Sequence, residues 1–119
     1  MIWWKQAKRD LESAEHSLKS KDYYLVSFLA HQSVEKALKS IYIKKFGKLI
    51  RIHDIFYLAK KLGLSEDLIE ICKEINPVYT EARYPDISNK LPAEEYSEDD
   101  AVTDLENAKK VLKWIEKQF

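Results

Sequence analysis

The sequence predicts an all-α protein: an antiparallel up-and-down bundle of four long helices plus one short helix. The chain has 119 residues but only two glycines and three prolines, which leaves few turns to separate strands. Its hydrophobic residues, 45% of the total, recur at steps of three and four, which is the helical period. The length suits one domain, so we expect residues 1–119 to fold as a single helical unit.

The two terminal segments predict amphipathic helices. The first, at about residues 2–20, carries its apolar stripe at Trp4, Ala7, Leu11, Ala14 and Leu18. The last carries the same period at Ala101, Leu105, Ala108, Leu112, Ile115 and Phe119. Ser97 is a good N-cap for this helix, and the acidic residues 98–100 suit the positive end of its dipole. Helix capping therefore explains much of this acidic cluster without a metal.

Residues 23–46 predict one long helix that is apolar on two faces. Small or branched residues form one face, and the other is an aromatic stripe that runs from Tyr24 to Tyr42. A helix of this kind lies in the middle of a bundle, with the first and last helices packed around it. Gly47 is placed to end the helix in a left-handed cap.

Two further helices are expected before the last one. A short helix, IFYLAKKL, begins after Asp54 and is closed by Gly63. The next begins near Ser65, bends or restarts at Pro77 and continues to Arg83. Its inner stripe includes Cys72, the only cysteine of the chain, which we therefore interpret as a core residue rather than a nucleophile. An irregular segment with Pro85 and Pro92 then leads to the last helix.

The net charge is zero, but the two halves of the chain have opposite charges. Residues 1–61 carry 13 Lys and Arg against 6 Asp and Glu, and residues 62–119 carry 7 against 14. Such a chain either presents a basic face to nucleic acid or pairs its own halves or those of a partner subunit. Residues 36–61 alone hold eight basic residues with aromatic residues among them, which suits either RNA contact or a solvated helix face. The dominance of Lys and Glu favours a thermophilic source.

The central helix places two polar residues, His31 and Glu35, within the aromatic stripe. At about 100° per residue both lie close to the line from Tyr24 to Tyr42, whereas Gln32, Lys36 and Lys39 lie off it and are expected to face solvent. Two alternatives remain open. In the first, Glu35 lies in a polar cleft and acts as a base or orients an arginine. In the second, Glu35 is only the buried ion-pair partner of Arg83.

We predict a ligand-binding cleft at Arg83 and Tyr84, in the stretch YTEARYPDIS. Glu35 would hold Arg83 at the cleft edge, with His31 nearby, and Arg83 rather than the lysine-rich middle would make the cleft positive. A planar guanidinium can grip both a carboxylate and a phosphate with two hydrogen bonds, which a lysine cannot do.

The sequence offers no pattern for a metal or a cofactor. The three histidines are far apart and there is no second cysteine, so no metal site is expected. Two isolated glycines cannot build a phosphate-cradling loop, so no cofactor is expected either. The first residues lack the apolar run of a signal peptide, and no stretch approaches the roughly 20 apolar residues of a membrane span. A cytoplasmic location without membrane insertion is therefore predicted.

Three segments together resemble the prokaryotic HEPN domain family along the whole chain: FLAHQSVEKALKSIYI, HDIFYLAKKLG and YTEARYPD. The resemblance implies the helical bundle described above and a homodimer. It also implies an association with a minimal nucleotidyltransferase in a two-gene, toxin–antitoxin-like system.

Many HEPN proteins are ribonucleases with an arginine and a histidine separated by four to six residues. Counted from Arg83, the corresponding positions are Ser88, Asn89 and Lys90, so the histidine is missing. We therefore predict a non-catalytic module that binds a nucleotide, RNA or a nucleotidyltransferase. The alternative is a divergent metal-independent ribonuclease that uses Arg83 with His31 or Glu35. The exposure of His31 separates the two, because a nuclease needs that ring open to solvent.

Overall fold

A computed structural model of the chain describes residues 1–75 and 96–119. It contains five helices in these ranges and no strand: α1 (Ile2–Lys19), α2 (Tyr23–Phe46), α3 (Ile55–Leu62), α4 (Glu66–Ile75) and α5 (Glu98–Glu116). The predicted all-α class is confirmed. The expected continuation of α4 past Pro77 to Arg83, and the segment with Pro85 and Pro92, lie outside the described residues.

The helix ends follow the capping chemistry that the sequence predicts. Gly47 and Gly63 close α2 and α3 in the left-handed conformation, with φ of 72° and 75°. Asp54 caps α3, because its Oδ1 accepts a hydrogen bond from the backbone nitrogen of Tyr57 at 3.0 Å. At α5, Ser97 and Asp100 form a reciprocal capping box with distances of 3.0 and 3.1 Å.

Helix α2 lies between α1 and α5, as its two apolar faces predict. It runs antiparallel to α1: the Ser33 hydroxyl donates to the Ala7 carbonyl at 2.8 Å, while the Lys39 ammonium, farther along α2, lies near Trp3 at the start of α1. The end of α2 lies beside the end of α5, where Lys44 donates to the Gln118 carbonyl at 2.6 Å. The beginning of α1 and the ends of α2 and α5 therefore meet at one end of the bundle.

The buried apolar residues of the described helices form two clusters, a small one with Ala14, Val26, Ala101 and Leu105 and a larger one. The larger cluster is built from Leu and Ile of α2, α3 and α4 together with the small and branched residues of α1 and α5. Cys72 is fully buried in it, and burial raises the pKa of its thiol to about 12, so it is a core residue as predicted. Within the described part of the chain, no helix is both long and apolar enough to cross a membrane.

The capping box of α5 provides a stability prediction. We expect Ser97→Ala to lower the free energy of unfolding by about 1 kcal/mol, because the Asp100 backbone nitrogen loses its acceptor. Urea denaturation followed by circular dichroism measures the change. Thr103→Ala, at an exposed position in the middle of α5, is the control and should be neutral or slightly stabilising. Equal effects of the two substitutions would contradict a role for the cap.

Candidate functional site

The Glu35 carboxylate is the centre of a buried group of charged and titratable side chains. Glu35 is 4% exposed, and its Oε2 lies 2.8 Å from both Lys39 Nζ and His53 Nδ1. Its Oε1 lies 3.9 Å from Nδ1 of His31, one turn earlier on α2. We call these four residues the Glu35 cluster. It joins the middle of α2 to the chain that leads into α3.

The position of Lys39 corrects the sequence analysis, which expected this side chain to face solvent. Lys39 is only 4% exposed, and its ammonium lies on the cluster and 5.8 Å from the centroid of the Trp3 ring. The prediction was wrong because it assigned Lys39 to solvent only for lying off the line from Tyr24 to Tyr42. A residue four positions after Glu35 lies on nearly the same face, and a flexible four-carbon stem lets the ammonium reach the carboxylate.

The carboxylate is kept ionised despite its burial. Burial alone raises the pKa of Glu35, but the hydrogen bonds from Lys39 and His53 lower it, and the net pKa is below the ordinary value. The negative charge is thus balanced within the cluster, as buried charges require.

His31 is sealed inside the protein. Its side chain has no exposed surface, and burial lowers its pKa to about 4 although the neighbouring Glu35 acts in the opposite direction. The imidazole is therefore neutral at physiological pH and does not face a solvent-borne ligand. By the exposure criterion set out above, this geometry speaks against a nuclease that uses His31.

His53 is the cluster residue that the sequence analysis did not select. Its side chain is 54% exposed, while its Nδ1 is held by the buried carboxylate. Asp54, the next residue, caps α3 and so fixes the backbone beside His53. The available signal was this His-Asp pair immediately before a helix. An imidazole oriented by a carboxylate can transfer a proton or contact a phosphate with the edge that faces away from Glu35.

The structure brings together two of the four predicted site residues. His31 and Glu35 are neighbours, whereas Arg83 and Tyr84 lie outside the described residues, so the contact between Glu35 and Arg83 stays a prediction. Among residues 1–75 and 96–119, no group donates a hydrogen bond to Glu35 Oε1.

Lysines and aromatic rings pair with one another at the end of α2 and on α3. Lys45 and Lys61 each place an ammonium 5.6 Å from the centroid of Phe46, and Lys60 lies 4.2 Å from that of Phe56. Phe46 is 40% exposed. We call these five residues the α2–α3 basic surface. The three lysines give this surface positive charge, whereas the predicted contribution of Arg83 lies outside the described residues. In the described parts of the chain, no three His, Cys, Asp or Glu side chains are grouped to hold a metal.

The buried carboxylate leads to a second stability prediction. Glu35→Gln leaves the Lys39 ammonium buried without its counter-ion, so we expect the free energy of unfolding to fall by about 3–5 kcal/mol. Urea denaturation measures it, and adding Lys39→Met should recover much of the loss because it removes the orphaned charge.

The control for this prediction is Glu12→Gln. Glu12 forms an ion pair at 3.4 Å with Arg9, but both side chains are more than half exposed, so the loss should be below about 0.5 kcal/mol. A similarly small loss for Glu35→Gln would show that the buried cluster does not stabilise the fold.

The buried His31 predicts how stability depends on pH. The unfolded chain binds a proton at His31 near pH 6.5 and the folded chain only near 4, so stability falls as the pH drops through this window. The shift corresponds to a loss on the order of 3 kcal/mol. Urea denaturation at steps between pH 7.5 and 4 should show a shallower slope for His31→Leu than for wild type. His16→Gln, at an exposed position, is the control and should keep the wild-type slope. An unchanged slope in His31→Leu would contradict the assignment.

Comparison with known proteins identifies the family. The HEPN domain model matches residues 1–118, whereas no curated protein matches the chain. TT1696 from Thermus thermophilus is 32% identical, with a TM-score of 0.92 over 99% of this chain and 96% of that one. ST0689, an archaeal HEPN homologue, is 34% identical, with a TM-score of 0.84 over 98% of this chain and 94% of that one.

A third solved structure shares the fold. It is an HEPN domain protein, tm0613, from Thermotoga maritima, and it is 22% identical with a TM-score of 0.78 over 99% of this chain and 97% of that one. The helical order, the packing around α2 and the match over nearly the whole chain agree with one another. The chain therefore belongs to the HEPN domain family.

Proposed function

We propose that this HEPN chain is a non-catalytic module that binds a nucleotide or RNA beside the Glu35 cluster. The observation that carries the proposal is the combination of a half-exposed imidazole, held by a buried carboxylate, with exposed lysines on aromatic rings. Lysines contact phosphates, and aromatic rings stack on bases without strong preference for sequence.

A ligand can replace the lysines on the aromatic rings when it binds. The ammonium groups of Lys45 and Lys61 each lie 5.6 Å from the centroid of the Phe46 ring. A base that stacks on this ring displaces them, and their flexible stems let them move to the flanking phosphates. The lysines that cover the ring before binding then neutralise the phosphates of the ligand.

Arg83 and Tyr84 belong to the same proposal as predicted ligand contacts. Glu35 Oε1, which no donor within the described ranges occupies, is suited to orient a guanidinium. The guanidinium would then contact a ligand phosphate with its remaining donors. The motif at Arg83 lacks the histidine of the nuclease members, which supports binding without cleavage.

A second candidate function, a metal-independent ribonuclease, is favoured by the pairing of His53 with Glu35. His53 Nε2 would take the proton of a ribose 2′-hydroxyl, whose oxygen attacks the adjacent phosphorus. The bond from phosphorus to the 5′-oxygen breaks, and the leaving 5′-oxygen takes a proton from a water molecule. The products are a 2′,3′-cyclic phosphate and a 5′-hydroxyl. In this mechanism Glu35 orients His53 and is not itself the general base.

The assembly belongs to the proposal too. We expect a cytoplasmic homodimer, with a mass in light scattering of twice 14.0 kDa, because the basic first half of one protomer complements the acidic second half of another. A minimal nucleotidyltransferase as partner, within a toxin–antitoxin-like pair, follows from the family resemblance. The Lys- and Glu-rich composition supports a thermophilic source.

Single-stranded RNA binding, followed by fluorescence anisotropy, tests the function. We expect the affinity to fall by tenfold or more when salt is raised from 50 to 200 mM, and again in Lys60→Gln/Lys61→Gln, since both changes weaken phosphate contacts. Arg83→Lys should also weaken binding by about tenfold while the fold stays stable. The RNA should be recovered intact.

The matched control is Lys19→Gln/Lys110→Gln, which removes the same charge from exposed positions on α1 and α5 and should bind like wild type. If wild type binds neither a nucleotide nor RNA at low salt, the proposal is wrong. RNA cut by wild type but left intact by His53→Gln would establish the second candidate in its place.

A further inference from the structure

Phe56 pairs with lysines in the same way as Phe46. The ammonium group of Lys60, one turn later on α3, lies 4.2 Å from the centroid of the Phe56 ring, and that of Lys73, on α4, lies 5.9 Å from it. Phe46 has the same arrangement, since two ammonium groups lie 5.6 Å from its centroid. The protein thus presents two units, each made of one phenylalanine ring and two lysines.

The two ring–lysine units adjoin each other on α3. Lys60 reaches the ring of Phe56, and the next residue, Lys61, reaches the ring of Phe46. Consecutive residues of an α-helix differ in direction by about 100°, so the two lysines leave neighbouring sides of α3. A ligand that follows this part of the surface can therefore meet one ring after the other.

The four lysines of these units keep their charge available for a ligand. All four are exposed, and within residues 1–75 and 96–119 none of them forms an ion pair with a carboxylate. Helix α3 itself contains no acidic residue. By contrast, Lys36 and Lys39 on α2 are paired with Asp10 and Glu35. The lysines beside the two rings therefore complement an anionic ligand without breaking an ion pair.

Ring faces and ammonium groups recognise the base and the phosphate of a nucleotide. An aromatic ring stacks on a base whose face is free, whereas the bases of a duplex are already paired and stacked on one another. An ammonium group is attracted to a phosphate whatever the sugar is, and neither group reads a 2′-hydroxyl. These contacts favour an unpaired strand over a duplex and do not distinguish RNA from DNA.

We propose that Phe46 and Phe56 are two subsites for two unpaired bases of the same strand. The preferred ligand is then a single strand of two or more nucleotides, RNA or DNA alike, rather than a mononucleotide. Once one base is bound, the second binds from the same molecule, which raises the affinity without any new kind of contact. This inference rests on the proposed function and selects the ligand class within it.

Fluorescence anisotropy at low salt, with uridylate strands of increasing length, tests the two subsites. From one nucleotide to four, we expect the affinity of wild type to rise by about tenfold or more, because a second base reaches the second ring. A deoxyuridylate strand of the same length should bind within about threefold of the RNA. A double-stranded RNA should bind at least about fivefold more weakly than either of its separate strands.

Single substitutions separate the two rings. Phe46→Leu and Phe56→Leu each remove one ring and keep an apolar side chain. Each should lower the affinity for the four-nucleotide strand by about tenfold and that for the mononucleotide by only about twofold, since the other ring still accepts one base. Lys73→Gln should also weaken binding of the four-nucleotide strand, although this residue lies on α4 and outside the α2–α3 basic surface.

Tyr24→Leu is the matched control. It removes an aromatic ring from the start of α2, roughly 33 Å along the helix from Phe46, and should keep wild-type affinity for every strand. Circular dichroism and thermal melting verify that each variant is folded. An equal loss in Tyr24→Leu and in the ring variants would overturn the two subsites.

Other outcomes distinguish this inference from the proposed function. Wild type that binds a mononucleotide as tightly as the four-nucleotide strand, or a duplex as tightly as its strands, would overturn the two subsites and leave the proposed function intact. RNA binding without binding of the matched DNA strand would do the same. If either ring variant loses its mononucleotide affinity completely, the rings form one site and the inference is wrong. Wild type that binds neither a nucleotide nor RNA would overturn both.

Discussion

The arrangement of α2, α3 and the intervening chain depends on one buried interaction, the pairing of the Glu35 carboxylate with Lys39 and His53. A carboxylate with 4% exposure on the middle helix is costly unless cations meet it. Lys39 supplies its charge from the same helix, and His53 reaches the carboxylate from the chain that enters α3. The contacts that balance the charge of the buried Glu35 carboxylate therefore also hold the half-exposed His53 ring in place.

This geometry links stability to function. Because Nδ1 of His53 lies 2.8 Å from Glu35 Oε2, the buried carboxylate orients the ring, and a side chain that is already ordered loses less entropy on binding. His31 has a different role: it is neutral, buried and part of the packing that surrounds the carboxylate. Of the two histidines near the carboxylate, the buried His31 is thus a structural residue and the half-exposed His53 is a candidate ligand contact.

Sequence reasoning predicted the parts of the structure that local chemistry determines. The bounds of α2, the left-handed caps at Gly47 and Gly63 and the cap at Ser97 follow from periodicity and from the φ preferences of glycine. The partners of Glu35 did not follow. The reach of Lys39 depends on side-chain flexibility, and the approach of His53 depends on how the chain between α2 and α3 folds back onto α2. Neither is encoded in the spacing of apolar residues, and the partner chosen instead, Arg83, lies outside the described residues.

The tautomer of His53 tests the central claim most directly, because an ionised carboxylate can accept a hydrogen bond from Nδ1 but cannot donate one. Long-range nitrogen–proton correlation NMR at pH 7.5 distinguishes the nitrogen that carries the proton. The account predicts a protonated Nδ1 in wild type, and loss of this preference in Glu35→Gln. An imidazole with its proton only on Nε2 and an unprotonated Nδ1 in the wild-type protein would contradict it.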